Sequence, residues 1–261
     1  MEATLTFLGT GTSMGVPTLG CDCAVCTSPD PHNRRTRPSI LLNYNNRVVL
    51  IDTGPDFHVQ AIRENIRHID AVLYTHGHAD HVMGFDDLRP LTFRHNGNMP
   101  VYADDETASN IERIFEYTFR KEDRYPTSAR VHIHRLDPTP GSGTELFGAC
   151  FQRIPVIHGN QEITGYRFGS AAYLTDMSDV PEVSFPLLQN LDVLIVDALR
   201  HNPHPSHSHI EKSIAIIERL QPKRALFTHM GHELDHETTN ASLPPHIRLA
   251  YDGLKINFEI A

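Results

Sequence analysis

Four side chains of the kind that bind metals lie close together in the segment 75–81, Thr-His-Gly-His-Ala-Asp-His; they are His76, His78, Asp80 and His81. The apolar run 71–74 precedes them and predicts a buried strand. The four side chains therefore lie on the loop that follows the C-terminal end of this strand. Side chains two residues apart in an extended segment point the same way, so His76 and His78 can bind one cation together. Asp80 and His81 come after the chain begins to turn and can bind a second cation. The spacing therefore predicts two metal ions side by side.

The alternative is an ordinary polar loop that happens to be rich in histidine. Histidine is frequent in this chain, at 18 of 261 residues, which makes accidental clusters more common than usual. However, first-row metals favour imidazole and carboxylate ligands at short spacings of this kind. We therefore interpret the segment as a metal site.

Composition indicates an ordinary soluble protein with a sizeable core, since 39% of residues are hydrophobic and 21% are charged. The length allows one large domain or two small ones, and we expect a single domain over residues 1–261. An uninterrupted apolar run of membrane-spanning length does not occur, and residues 1–7 lack the pattern of a signal peptide, so we expect a cytoplasmic protein without a membrane partner.

The formal net charge of −9 disfavours a nucleic-acid polymer as partner, because such binding depends on Lys and Arg neutralising phosphates. One dense basic patch is present, formed by Arg34, Arg35 and Arg37. We expect this patch on a solvated loop, where it could steer a small phosphate.

The order of apolar runs predicts an α/β (α+β) fold. The predicted strands of the first half are 4–8, 39–44, 47–51 and 71–74, with a hairpin turn at Asn45-Asn46. Those of the second half are 151–156, 163–168, 171–174, 193–196, 225–228 and 254–260. The predicted helices are 57–66, 106–117, 181–189 and 209–220. This repetition predicts two mixed sheets packed face to face with helices outside, a four-layer αββα sandwich.

Four later residues follow predicted strands of the second half, as the first cluster follows a strand of the first half. They are His158, Asp176, His207 and His229. Taken singly, each is more often structural than a ligand. Because all four stand where a strand opens into a loop, a site at the seam between the two halves would collect them.

The ordered set of histidines and aspartates resembles that of the metallo-β-lactamase superfamily, whose fold is an αββα sandwich. The resemblance implies that His76, His78 and His158 bind one metal and that Asp80, His81 and His229 bind the other, with Asp176 bridging them. It also implies that Asp52, in Leu-Ile-Asp-Thr-Gly, supports the site without binding metal.

A cysteine-rich loop adds a third predicted metal. Cys21, Cys23 and Cys26 supply three thiolates, which suit tetrahedral zinc and require a fourth ligand. His232 can fill that place, with His236 as its competitor. This arrangement resembles the PhnP-like cyclic phosphodiesterase branch of the superfamily, found in bacterial phosphonate degradation, and implies a structural zinc beside the dinuclear site.

The expected activity is hydrolysis of a small, cyclic phosphodiester. Two divalent cations, Mn or Zn, would activate a bridging hydroxide, and Asp80 would act in catalysis by holding it in place through the metal. His207 is the predicted general acid, with His209 as its rival. Arg89 could contact a substrate phosphate, although an ion pair with Asp86 or Asp87 is the more ordinary role.

Other functions use the same metal ligands. A tRNA 3′-end processing endonuclease shares them, but we find no Gly- and Lys-rich insertion that would form an arm for tRNA. A lactone or thioester hydrolase would direct the same hydroxide at a carbonyl. A metal-binding accessory protein with little hydrolytic activity is the third alternative. The sequence leaves a homodimer open as the assembly.

Overall fold

The computed structural model describes residues 1–95, 97–120, 122–123 and 125–260. Over these residues the chain forms two seven-stranded sheets. The first sheet runs in the order Lys255–Glu259 (β14), Glu2–Gly9 (β1), Ser39–Tyr44 (β2), Arg47–Ile51 (β3), Ala71–Leu73 (β4), Met99–Ala103 (β5), Val131–Arg135 (β6). The second runs in the order Ile247–Leu249 (β13), Arg224–Thr228 (β12), Val193–Asp197 (β11), Ala171–Leu174 (β10), Gln161–Phe168 (β9), Ala149–His158 (β8), Gly143–Leu146 (β7).

The helices of the described residues lie in the connections between strands. They are Phe57–Arg63 (α1), Ala79–Val82 (α2), Arg89–Thr92 (α3), Asp105–Ile114 (α4), Glu116–Phe119 (α5), Ile210–Leu220 (α6) and His236–Ser242 (α7). Three 3₁₀ segments accompany them, Pro31–Asn33, Phe85–Leu88 and Glu182–Leu188.

The principal core lies between the two sheets. Alternate side chains of each strand point inward, so that Leu5 and Phe7 of β1 share one buried cluster with Phe151 of β8 and Phe168 of β9. A second cluster joins the outer face of the first sheet to α1 and α4, and a third joins the outer face of the second sheet to α6. The predicted αββα sandwich of two mixed sheets is therefore confirmed.

The parallel parts of both sheets determine where the site can form. Strands β3 to β6 run parallel in the first sheet, and β10 to β13 run parallel in the second. Their C-terminal ends therefore open into loops at a common edge, and the backbone N–H of Thr164 donates to the carbonyl of Thr75 across the seam at 3.0 Å.

Some elements differ from the sequence-based expectations. The final strand, expected with the second half, pairs antiparallel with β1 of the first sheet, where Leu5 lies opposite Ile256. The predicted helix 181–189 is a 3₁₀ segment, because Pro186 has no N–H to continue an α-helix. The predicted helix 106–117 is broken at Phe115 into α4 and α5. Strands β5, β6, β7 and β13 were not predicted from their short or polar sequences.

The three clustered arginines do not form a basic patch, contrary to the expectation. Arg34 is exposed and donates to the carbonyl of Ser28, whereas Arg37 pairs with Asp56 at 3.2 Å. Arg35 is fully buried. In the described part of the chain, each helix is too short or too polar to cross a bilayer.

Candidate functional site

The ligand-type residues stand on loops at the shared edge of the two sheets. His76 and His78 lie between β4 and the short helix α2, which begins after His78 and carries Asp80 and His81. His158 is the last residue of β8. The remaining two, Asp176 and His229, each follow a parallel strand of the second sheet, β10 and β12.

The structure brings these residues together in two adjoining groups. His76, His78 and His158 form the first group, and the second consists of Asp80, His81, Asp176 and His229. Within each group, one ligand atom per residue lies within 4.8 Å of every other. Asp176 faces both groups, since its Oδ2 is 3.9 Å from Nε2 of His76 and 3.0 Å from Nε2 of His229.

Three residues of the site adopt a backbone conformation that non-glycine residues seldom use. Asp52, Asp176 and His229 have φ angles of 66°, 57° and 57°. Such residues persist only where the surrounding structure holds them, and they concentrate at functional sites. The fold therefore accepts local strain to aim these three side chains.

Hydrogen bonds to the far nitrogen orient two imidazoles. His81 Nδ1 lies 2.8 Å from Oδ2 of Asp52, and His158 Nδ1 lies 2.7 Å from the carbonyl oxygen of Ser206. Donation from Nδ1 leaves Nε2 of each ring directed at the shared site, which is the usual arrangement of metal-binding histidines.

The site holds several buried polar atoms without a hydrogen-bond partner among the described residues. They are Nε2 of His76, His81 and His229, and Oδ2 of Asp80. Unsatisfied buried polar groups of this kind are rare in folded proteins and call for a bound ion or a functional role. One cation in each group would satisfy these atoms, so the residues fit a pair of divalent metal ions.

The electrostatics of the site favour positive charge. Burial opposes ionisation of the carboxyls, yet the adjacent His229 and His81 hold the pKa of Asp176 well below its usual range. Burial likewise disfavours a charged imidazole, yet Asp176 and Asp80 raise the pKa of His229 to about 10. The carboxylates thus stay ionised and attract cations.

His207 lies beside both groups, since it forms possible ligand groups with His158 and Asp176 and with Asp197 and His229. Its ring stacks on that of His229 with centroids 4.6 Å apart, and its Nδ1 is 3.0 Å from Oδ2 of Asp197. Burial and the nearby His229 lower the pKa of His207 to about 4. The rival His209 is the N-cap of α6 and is absent from every ligand group of the described residues.

The three cysteines meet one histidine. Nδ1 of His232 lies 3.2 Å from Sγ of Cys21, 3.5 Å from that of Cys23 and 3.4 Å from that of Cys26. Tetrahedral zinc with Zn–S of about 2.3 Å and Zn–N of about 2.0 Å requires N···S edges of about 3.5 Å. His236 instead stacks on His32, with ring centroids 4.6 Å apart. The geometry fits a Cys₃His zinc site and favours His232 over His236.

Hydrogen bonds within the cysteine loop favour one thiolate in particular. The backbone N–H of Cys26 lowers the pKa of the Cys23 thiol to about 6, whereas burial raises that of Cys26 to about 11. N–H groups directed at sulfur stabilise a negative charge there, which assists metal binding.

Sequence reasoning missed several residues that support the site. Asp197, Thr75 and Ser206 make hydrogen bonds to the site residues, and Asp197 also belongs to a possible ligand group with His207 and His229. Their sequence neighbourhood does not predict a supporting role. Asp197 is the exception, because it is the last residue of β11 and faces the site. Nη1 of Arg89 lies 3.8 Å from Oδ2 of Asp86, which matches the expected ion pair.

A cavity of ≈ 410 Å³ opens beside His76 and His78. Its other walls are mostly polar and include Arg113 and three carboxylates, those of Asp104, Glu106 and Glu162. Pockets of this volume suit small ligands.

A family model described as the beta-lactamase superfamily domain matches residues 47–230. The chain belongs to this superfamily, whose metallo-β-lactamase fold implies divalent metal ions. Within it the protein is PhnP-like: a crystal structure described as a new diphosphatase from the PhnP family is 53% identical, with a TM-score of 0.93 over 100% of this chain and 98% of that one. These similarities support a metal-dependent hydrolase.

Two further proteins show how far the similarity extends. An octanoyltransferase of Porphyromonas gingivalis is 37% identical over 251 residues, which is 95% of this chain and 50% of that protein. The chain thus spans about half the length of this curated relative. The short form of human tRNase Z has a TM-score of 0.71 over 99% of both chains at 18% identity, which shows a shared fold alone.

Proposed function

We propose that this chain is a metal-dependent phosphodiesterase that hydrolyses small phosphodiesters, including cyclic ones. The observation that carries the proposal is the convergence of seven histidines and aspartates at one edge of the sheets, with His207 stacked over them. The similarity to a PhnP-family diphosphatase supports the coarser assignment, a metal-dependent phosphoesterase.

The seven converging residues would hold two divalent cations, Mn²⁺ or Zn²⁺, and the Cys₃His residues would hold one structural Zn²⁺. When bound, the two cations supply an activated water and positive charge that stabilises the phosphoryl oxygens. Asp80 and Asp176 contribute to holding that charge in place, while Asp52 and Ser206 orient the imidazoles.

His207 is the residue we assign to the leaving oxygen. Asp197 accepts the hydrogen bond from Nδ1, so Nε2 is the nitrogen available to give a proton to the departing alkoxide. An anionic phosphate bound beside the ring favours the protonated form, which offsets the effect of burial. The acid role rests on this placement.

The net charge of −9 opposes a long polyanion as substrate. A tRNA substrate therefore lacks support, and tight, salt-sensitive binding of tRNA would revive that alternative.

A second candidate activity is hydrolysis of a diphosphate bond. The 53% identity to a PhnP-family diphosphatase favours it. The same ligands would serve both reactions, since each is attack at phosphorus with departure of an oxygen.

The proposal is tested by stripping metals with a chelator and reloading with Mn²⁺ or Zn²⁺. The reloaded protein should hydrolyse bis(p-nitrophenyl) phosphate and a 2′,3′-cyclic nucleotide. The substrate panel adds a diphosphate diester, a lactone and a thioester. Asp176→Asn should abolish turnover, whereas Asp179→Asn, three residues away and paired with Lys212 at the surface, should retain it.

Turnover confined to the diphosphate would favour the second candidate. Turnover of the lactone or thioester alone would reject phosphoryl chemistry, and no turnover with either metal would reject the proposed hydrolase.

A further inference from the structure

Arg35 is a fully buried arginine that joins the two halves of the fold. It lies between β1 and β2, and its side chain is 1% exposed. Nη1 donates to the carbonyl of Gly231 at 2.9 Å, and Nη2 donates to the carbonyl of Leu234 at 2.6 Å and to Oδ1 of Asn33 at 3.2 Å. These three hydrogen bonds offset the cost of burying the charge, while Nε has no partner among the described residues. The guanidinium therefore clamps the turn 231–234, which follows β12 of the second sheet.

That turn connects ligands of the two candidate metal centres. His229 belongs to the second group of the dinuclear site, and His232 faces the three cysteines. Only Met230 and Gly231 separate them along the chain. One short segment therefore carries both imidazoles.

Backbone hydrogen bonds hold the same connection to the loop that leads into the cysteines. The N–H of Met230 donates to the carbonyl of Thr10 at 2.9 Å, and the N–H of Thr12 donates to the carbonyl of Met230 at 3.0 Å. Arg35 and Val16 exchange both backbone hydrogen bonds at 2.8 Å. Arg35 thus contacts the turn through its side chain and the cysteine loop through its backbone.

We propose that Arg35 is a positioning residue that couples the Cys₃His site to the dinuclear site. By clamping the turn, it keeps His232 facing the cysteines and His229 facing the carboxylates, so metal bound at one site strengthens binding at the other. The inference rests on the proposed metal sites but not on the substrate. Burial lowers the pKa of the Arg35 guanidinium to about 10, against the opposing effect of Asp252, so it remains charged at neutral pH.

The coupling is tested by Mn²⁺ titration of metal-stripped protein that has been reloaded with one equivalent of Zn²⁺, which the thiolates bind in preference. The electron paramagnetic resonance signal of free Mn²⁺ follows the titration. Mn²⁺ prefers nitrogen and oxygen ligands to thiolates and therefore reports the dinuclear site. Cys21→Ser and Arg35→Lys should each weaken Mn²⁺ binding by ~10–100-fold. The double variant should bind Mn²⁺ as tightly as the single variant with the lower affinity, because both changes break the same connection.

Arg167→Lys is the matched control. Arg167 also donates to two backbone carbonyls, those of Gly169 and Leu187, but it lies on β9 away from the turn. The Arg167→Lys variant should bind Mn²⁺ with unchanged affinity. Asn33→Ala removes one hydrogen bond of Arg35 but keeps the arginine, and it should also weaken Mn²⁺ binding. This variant tests the coupling if Arg35→Lys does not fold.

Strictly additive losses in the double variant, or unchanged Mn²⁺ affinity in both Arg35→Lys and Asn33→Ala, would overturn the coupling while leaving the proposed function intact. A wild-type protein that binds no Mn²⁺ or Zn²⁺ beyond the cysteine site would reject the dinuclear site itself and the coupling with it.

Discussion

Oδ2 of Asp52 lies 2.8 Å from Nδ1 of His81, and both side chains are fully buried. Asp52 also accepts hydrogen bonds from the backbone N–H and the hydroxyl of Thr75, at 2.9 and 2.8 Å. A carboxylate in this position fixes the tautomer and orientation of the imidazole, so that Nε2 faces the metal side. The strand that ends at Ile51 thus supports a ligand carried by α2.

Replacement of Asp52 by Asn should weaken metal binding at the dinuclear site. The amide keeps the shape but loses the charge that holds His81, and such second partners contribute ~10–100-fold in metal affinity. Mn²⁺ titration measures the effect. Asp70→Asn is the control, because Asp70 binds Arg47 and the backbone of Val48 away from the site. Equal affinity in the two variants would contradict the role of Asp52.

Replacement of His207 by Ala should reduce kcat by ~10²–10⁴-fold, the usual contribution of a general acid, while metal content stays unchanged. Metal analysis and a phosphodiesterase assay on one preparation measure both quantities. His209→Ala should retain most of the activity, because His209 caps α6 outside the ligand groups. Undiminished activity without His207 would refute the acid assignment.

Zinc should stabilise the metal-depleted protein. Each site that is filled at a hundredfold excess over its Kd adds about 2.7 kcal/mol to the free energy of unfolding. For a chain of this size, that corresponds to a rise in Tm of roughly 5–10 °C per site. Calorimetry with and without Zn²⁺ measures the increase. Cys26→Ser should lose part of it, and an equal Tm in metal-free and zinc-loaded wild type would argue against all of the sites.

Acid should destabilise the protein partly through His236. Burial, aided by the neighbouring His32 and Arg35, lowers the pKa of His236 from 6.5 to about 4. Between these pH values the unfolded chain binds a proton that the folded chain does not, so stability falls as the pH falls through this window. Charged groups that face the ring are His32, Asp30, Asp235 and Arg35.

Urea unfolding at pH 7.5 and 5 measures this contribution. His236→Gln should lose less stability on acidification than wild type. The difference should be less than about 1.4 kcal/mol per pH unit, because the side chain is partly exposed to solvent. The exposed His246→Gln should behave like wild type. The same pH dependence in all three proteins would show that His236 does not contribute.

Much of the fold could be predicted because its central strands are apolar and separated by clear turns. Residues 48–51 and 193–196 show continuous apolar runs typical of strands buried on both faces. Strand β6 escaped prediction because His132 and His134 alternate along an edge strand, where a polar face is tolerated. The last strand was assigned to the wrong sheet because pairing of β14 with β1 joins the two ends of the chain.

The sequence by itself determined the kinds of ligand and their local spacing. His76, His78, Asp80 and His81 are close in the chain, and so are Cys21, Cys23 and Cys26, so covalent geometry alone keeps each set together. Their chemistry follows from residue type, which does not depend on the fold.

Only the tertiary structure decided which distant residues complete each set. His207 and His209 are two residues apart, and His232 and His236 are four apart. Only the path of the loops after β11 and β12 decides which ring of each pair faces the ligands. The same holds for Arg35, which looked like a surface charge in the sequence and became a buried clamp, because its partners are carbonyl groups some 200 residues away. Contacts of that range depend on how the sheets pack, and residue order does not record them.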